Sequence, residues 1–220
     1  MKKLVTILLS FLFMSFQSVK SEVGIGVSGA LHMLDASGTE TVRTSGAKNN
    51  GSHSEDVVVP ELFIESVYDN GGAIGISYIP TRDVGSKSRT DTANNSGDDA
   101  GTYKAAAELD NVVQIYVDIP TPMSIAGNDF YVKAGIQHAT LVTLESLNSG
   151  STYPDEDLLG VTLGFGTKGD LPYGNNLYYK AEATYTNFES YTADSSSSPS
   201  NKVEADLEDI AVKLSIGYKF

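Results

Sequence analysis

From Glu22 onward, apolar residues recur at every second position, and they do so in eight separate runs. A period of two marks a strand with unlike faces, whereas a helix repeats near 3.6. In the first run Val23, Ile25, Val27, Leu31 and Met33 share one face, and Gly24, Gly26, Ser28, Ala30 and His32 the other. The next runs are Val59 to Tyr68, Ala73 to Arg82, Tyr103 to Asp118 and Phe130 to Leu141. Leu158 to Lys168, Leu177 to Phe188 and Glu208 to Phe220 complete the set. In the fourth run Leu109, Val113, Ile115 and Val117 oppose Glu108, Asp110, Gln114 and Asp118. The last run sets Ile210, Val212, Leu214, Ile216, Tyr218 and Phe220 against Lys213, Ser215, Gly217 and Lys219. No helical run interrupts them, so the expected class is all-β with eight strands.

The connections choose between a soluble sandwich and a closed membrane barrel. Asp69-Asn70-Gly71-Gly72 is a tight hairpin signal. The segments Ile119 to Asp129 and Gly169 to Asn176 are also fairly short. Asp35 to Asp56, Asp83 to Thr102, Thr143 to Asp157 and Ser190 to Leu207 are longer and full of Ser, Asn, Asp and Gly. Long and short connections therefore alternate, as in an antiparallel up-and-down transmembrane barrel with short periplasmic turns and long extracellular loops. A sandwich has no reason to alternate them. It also needs two apolar inner faces, and the second face here is rich in Gly, Ser, Thr and charge.

Ahead of these runs stands an address. Lys2 and Lys3 precede the mostly apolar Leu4 to Phe16, and Val19-Lys20-Ser21 offers a small residue for cleavage before Glu22. Residues 1–21 are read as a secretory signal peptide and 22–220 as one barrel domain, exported by the Sec pathway. The whole chain has 15 Lys and Arg against 28 Asp and Glu. Removing the leader takes three lysines and no acid, leaving 12 basic against 28 acidic residues, a net of −16. Such a balance excludes a nucleic-acid partner, which requires a basic face. The absence of Cys excludes disulfides, thiolate metal sites and a Cys nucleophile.

An eight-stranded ring leaves an interior only wide enough for side chains. The period of two points Glu65, Lys133 and Lys180 inward at similar heights and Glu182, Lys213 and Glu61 inward somewhat higher, and opposite charges at matched depth can pair. A packed polar plug is the expected state, and a charge gate that rearranges to conduct ions is the alternative. Outward aromatics near strand ends form the expected girdle: Tyr68, Phe130, Tyr179, Tyr218 and Phe220 at the lower rim, Tyr78 and Tyr185 at the upper.

The chain ends Lys213-Leu-Ser-Ile-Gly-Tyr-Lys-Phe220, with apolar or aromatic residues at alternating positions. Tyr218 and Phe220 resemble the aromatic-x-Phe assembly signal of Gram-negative outer-membrane barrels. With the leader and the eight strands, the whole mature chain resembles the small outer-membrane β-barrel family of opacity, OmpX, OmpW and OmpA-barrel proteins. The resemblance implies residence in the bacterial outer membrane, insertion by the barrel-assembly machinery, and contact with outer-membrane lipids and lipopolysaccharide. It implies no single activity, since relatives serve as adhesins, narrow channels, hydrophobic-molecule conduits or envelope components.

Two patches invite chemistry. His138 lies near the upper end of its strand on the lipid side, with Thr140 on the same face and Glu145 nearby. Lipid A deacylases place a His, a Ser and an acid near that level, and Thr140 stands where they carry Ser. Asp155, Glu156 and Asp157 are weak candidates for a divalent cation, but their spacing matches no closed calcium loop. No metal or other cofactor is expected. The sequence reading is a monomeric, non-enzymatic envelope protein with a structural or surface-interaction role and an unidentified extracellular ligand. A narrow channel or conduit for small solutes, hydrophobic ones among them, is the first alternative, and a lipid A-modifying hydrolase the second.

Overall fold

A computed structural model describes residues 21–43, 45–91, 101–125, 127–145, 152–172, 174, 176–196 and 200–220. Residues 1–20 of the expected leader lie outside the described residues, and Ser21 opens the first strand. Ten strands follow one another: β1 (Ser21–Thr41), β2 (Lys48–Tyr68), β3 (Ala73–Ile79), β4 (Arg82–Asp91) and β5 (Gly101–Ile125) come first. They are followed by β6 (Asn128–Thr143), β7 (Glu156–Asp170), β8 (Leu177–Phe188), β9 (Tyr191–Asp194) and β10 (Lys202–Lys219). β4 continues β3 upward and β9 continues β8, so the antiparallel ring has eight strands, closed by β10 against β1.

The register fixes the shape of the ring. Hydrogen-bonded neighbours lead from Gly24 through Glu65, Gly75, Tyr116, Gly135, Thr162, Thr186 and Asp209 back to β1 at Leu34. One circuit therefore climbs ten residues along β1. With eight strands, that stagger requires a tilt of about 40–45° and gives roughly 2.4 Å of height per residue. An apolar band of about 25 Å then spans about ten residues, which is the length of the outward series from Val23 to Met33.

Outside this band the strands do not stop. The segments expected as loops at 35–56, 83–102 and 190–207 are largely strand: β1 and β2 stay paired up to Thr41 and Lys48, β4 pairs with β5 to Asp91 and Gly101, and β9 pairs with β10. Polar residues on both faces made these stretches look like loops. A ladder in water needs no apolar outer face, so their polarity did not forbid pairing. At the lower rim the β5–β6 ladder likewise runs on to Ile125 and Asn128, inside the expected turn.

Leu109 is a second correction. The alternation set it outward with Val113, but it is fully buried, as is Val112. The β5–β6 register shifts between Asp110 and Val113, and Asn111 adopts φ 50° there. This bulge inserts a residue and reverses the phase of everything above it.

The wall also contains a seam. The β2–β3 ladder ends at Leu62 opposite Tyr78. Continuing that register would place Pro60 against Pro80, two residues with no N–H to donate. Above them β2 pairs only with β1, and β4 only with β5. Side chains span the gap instead: the His53 ring lies where a Cβ on Gly85 would stand, and Gly85 has φ 142°.

Candidate functional site

The outer face is apolar where it meets hydrocarbon. Leu62, Ile64, Ile115, Leu163, Phe165, Leu214 and Ile216 are exposed, Phe165 and Leu214 at 68 % each. Among the girdle residues, Tyr78, Tyr185, Tyr218 and Phe220 are exposed, while Tyr68, Phe130 and Tyr179 are half-buried near the lower rim. Tyr218 and Phe220 meet edge to face at 4.9 Å. Tyr179 donates its hydroxyl to Asn128.

The lumen is filled in layers, and the lowest is ionic. Lys180 of β8 lies 2.7 Å from Asp118 and 2.9 Å from Glu65, with Glu182 at 3.9 Å. Lys133 of β6 lies 3.0 Å from Asp118 and 2.8 Å from Glu182, and 3.4 Å from the centroid of the Tyr116 ring. Tyr116 and Tyr178 each donate a hydroxyl to Glu65, at 2.7 and 2.8 Å. Lys213 pairs with Glu61 at 2.6 Å. All six residues of the expected charge set thus point inward and are buried. Asp118, although legible on the inner face of its strand, was not counted in that set, yet it joins the two lysines. A side chain on Gly24 or Gly217 would collide with Tyr178, so these glycines let the ring reach Glu65.

A polar belt lies above. Gln137 faces Gln114 in register and donates to Thr186 at 3.2 Å, while Thr162 and Thr186 share a hydrogen bond of 2.8 Å. On the same belt Asp209 Oδ2 accepts from His32 Nδ1 at 2.8 Å and from Arg82 Nη2 at 3.0 Å. His32 therefore lines the lumen with a hydrogen bond, as its strand position implies. Arg82 follows the Pro80 break, so its facing could not be counted from β3.

The top layer is apolar, where polar lining was expected throughout. Leu34, Val59, Ile79, Val112, Leu158 and Phe188 form a buried cluster inside the ring. Tyr153 packs against it, donates to Glu40 at 3.1 Å, and stands beside Pro154, whose carbonyl accepts from Tyr191 at 2.7 Å. Burial here raises the Tyr153 and Tyr191 hydroxyls, the latter to about 12, and raises the Glu145 carboxyl above its ordinary range. In water above the bilayer a ring of strands needs an interior like that of a soluble protein, and these residues supply it.

Charge is balanced within. Among the described residues the buried carboxylates are Glu61, Glu65, Asp118, Glu182 and Asp209, and the buried cations are Arg82, Lys133, Lys168, Lys180 and Lys213. Five face five. The acidic excess of the described residues therefore lies outside the lumen.

The other candidate residues are not brought together as expected. His138 is 3.8 Å from Asp157, and Thr140 donates its hydroxyl to Asp157 at 2.8 Å rather than to His138. Glu145 instead accepts from the Tyr153 amide at 3.2 Å. Asp155 accepts from the Thr143 amide at 2.8 Å. Among the described residues, no group of three or more His, Asp or Glu side chains is placed to hold a metal ion, Asp155, Glu156 and Asp157 included.

No family model matches the chain, and no curated protein sequence matches it. Solved structures do. The outer membrane protein OprG from Pseudomonas aeruginosa superposes with a TM-score of 0.51 at 16% identity, over 94% of this chain and 99% of that one. The outer membrane protease OmpT from Escherichia coli gives 0.50 at 10%, covering 94% and 99%. The outer membrane protein AlkL in lipid bilayers gives 0.50 at 10%, covering 94% and 93%. At these identities the likeness is one of fold, and the fold is that of small Gram-negative outer-membrane β-barrel proteins.

Proposed function

We propose that this chain is a closed barrel of the outer membrane with a structural or surface-interaction role, neither conducting nor catalytic. The observation that carries this reading is the doubly filled lumen, ionic below and apolar above. An ion crossing it must displace buried salt bridges and then enter an apolar layer, and each step costs several kcal/mol. The part that meets the outside is the stiff strand extension of β1, β2, β4, β5, β9 and β10, a platform for an extracellular partner. Export by the Sec pathway after cleavage of residues 1–21, insertion by the assembly machinery through Tyr218 and Phe220, contact with lipopolysaccharide, and a monomeric state belong to the same reading. One fold neighbour is a protease, so the fold does not decide catalysis, and the unassembled His138–Thr140 pair speaks only against the lipid A-modifying alternative. Planar-bilayer recording of the purified full chain tests the proposal: a silent membrane is expected, and reproducible unitary steps would overturn it.

A second reading, a conduit for hydrophobic solutes, is favoured by the seam. It begins above Pro60 and Pro80, where the strands are bridged by side chains such as His53 and not by a ladder, beside the apolar cluster containing Val59 and Ile79. Val58, on its outer side, is 73 % exposed.

A further inference from the structure

The outward faces of β1 and β10 change character above the hydrocarbon band. Met33 lies opposite Ile210, then Asp35 opposite Glu208, Ser37 opposite Asp206 and Thr39 opposite Glu204. On the upper two of these rungs a short hydroxyl side chain stands beside a carboxylate. Asn50 of β2 flanks Thr39 on one side, and Thr192 of β9 flanks Glu204 on the other. Short side chains across these four strands, with Gly38, Gly51 and Ala205 between them, leave a groove of about 530 Å³. Small-molecule sites commonly enclose roughly 300–1,000 Å³.

The lining states the chemistry. It offers hydroxyls, one amide and two carboxylates, and among the described residues that line it there is neither a cation nor an apolar residue larger than Ala205. Asp206 Oδ1 accepts from Ser190 at 2.6 Å and Glu204 Oε1 accepts from Lys202, so each carboxylate has a second oxygen to offer. Asn50 Oδ1 accepts from Thr39 at 2.8 Å, which leaves its amide hydrogens to donate. The hydroxyls of Ser37 and Thr192, both exposed, can donate or accept.

Charge and position narrow the occupant. With Asp35 and Glu208 one rung below, four carboxylates outweigh Lys202 and the more distant Lys48 at the upper end. A phosphate, sulfate or carboxylate is repelled there, and an acyl chain finds no apolar floor. An ammonium group would use the acids and leave the hydroxyls and the Asn50 amide idle. An uncharged sugar uses them all: its O–H groups donate to the carboxylates, and its oxygens accept from Asn50 and Ser37. The groove faces sideways, and Ser37 and Thr39 stand four and six residues past Met33, roughly 10–15 Å beyond the hydrocarbon at the rise per residue of the tilted strands. It therefore continues the lipid-facing wall upward, into the layer of lipid head groups.

We propose that this groove binds the uncharged saccharide head group of an outer-leaflet glycolipid, whose acyl chains lie against the exposed Leu31, Ile210 and Val212. The inference rests on the surface-interaction reading and names a membrane-borne ligand class for it.

The test places the full chain in phosphatidylcholine nanodiscs that also hold digalactosyl diacylglycerol, an uncharged disaccharide lipid, or phosphatidylglycerol. Retained lipid is read by native mass spectrometry, and the groove by the amide resonances of Ser37, Thr39 and Thr192. The galactolipid is expected to be held about tenfold more tightly than phosphatidylglycerol, the value of about one hydrogen bond to a charged group. Glu204→Lys with Asp206→Lys, both on the exposed outer wall, reverses that order, and Ser37→Trp, which fills the groove, abolishes retention of the galactolipid. The shifts of the unaltered chain decide even where a variant does not fold. Equal retention of the two lipids, or retention of a cationic sugar-free lipid in place of the galactolipid, overturns the site. Equal shifts with free lactose overturn the membrane-borne source. A barrel silent in planar bilayers that holds no galactolipid overturns the groove and leaves the closed-barrel reading standing, whereas unitary steps overturn that reading whatever the lipid does.

Discussion

Lys180 Nζ lies 2.7 Å from Asp118 Oδ2, and the other oxygen of that carboxylate lies 3.0 Å from Lys133. One acid from β5 thus ties β6 to β8 across the lumen. Asp118→Ala leaves two buried ammonium groups short of an anion and is expected to destabilise the barrel by about 3–5 kcal/mol. Urea unfolding in lipid vesicles measures it. A loss below about 1 kcal/mol would show that the network stays hydrated and loosely coupled.

The Lys213–Glu61 pair behaves differently when both ends change. Glu61→Met alone strands Lys213 and should cost about 3 kcal/mol, whereas the double replacement Glu61→Met with Lys213→Met should be near neutral or stabilising. A double-mutant cycle reads the coupling. Equal losses in single and double variants would contradict it.

Asn111 holds the bulge that turns Leu109 inward. At φ 50° a β-branched residue is strained, so Asn111→Val should cost about 1–2 kcal/mol while Asn111→Gly is tolerated. Equal stabilities would mean that the β5–β6 register shifts without strain.

Leu214 marks the middle of the lipid-facing wall. Leu214→Arg is expected to cost about 2–4 kcal/mol, and the same change at Glu208, near the upper interface, about 0–1. Vesicle unfolding of the two variants compares the depths, and reversed values would displace the membrane band.

Glu145 gives the segment over the lumen a pH dependence. Burial raises its folded pKa above the unfolded one, so its contribution is complete below the unfolded pKa and lost as pH rises through the folded value. The chain lacks Cys, so a nitroxide on Thr152→Cys reports this segment cleanly. Its mobility should be lower near about pH 4 than at neutrality, and Glu145→Gln should remove the difference.

The ring itself was legible because the solvent differs on its two faces: Val212 and Ile216 must meet lipid, and Lys213 and Ser215 cannot. The same contrast placed Lys133, Lys180 and Glu182 inside. It disappears above the bilayer, where water wets the outer wall and Ser37, Asn50 and Glu204 read as loop residues although they sit in ladders. Arg82 and Leu109 were hidden for another reason. Pro80 interrupts the count on one strand and the Asn111 bulge shifts it on the other, so period two no longer reports facing. Arg82 and Asp209, 127 residues apart, meet only once the ring has closed.

The long β1–β2 ladder sets how far this part of the wall reaches beyond the membrane. With 21 residues in each strand, it rises roughly 50 Å, about twice the thickness of the greasy belt. Lys48, Asn49 and Asn50 are consequently held well clear of the lipid surface by an unbroken ladder.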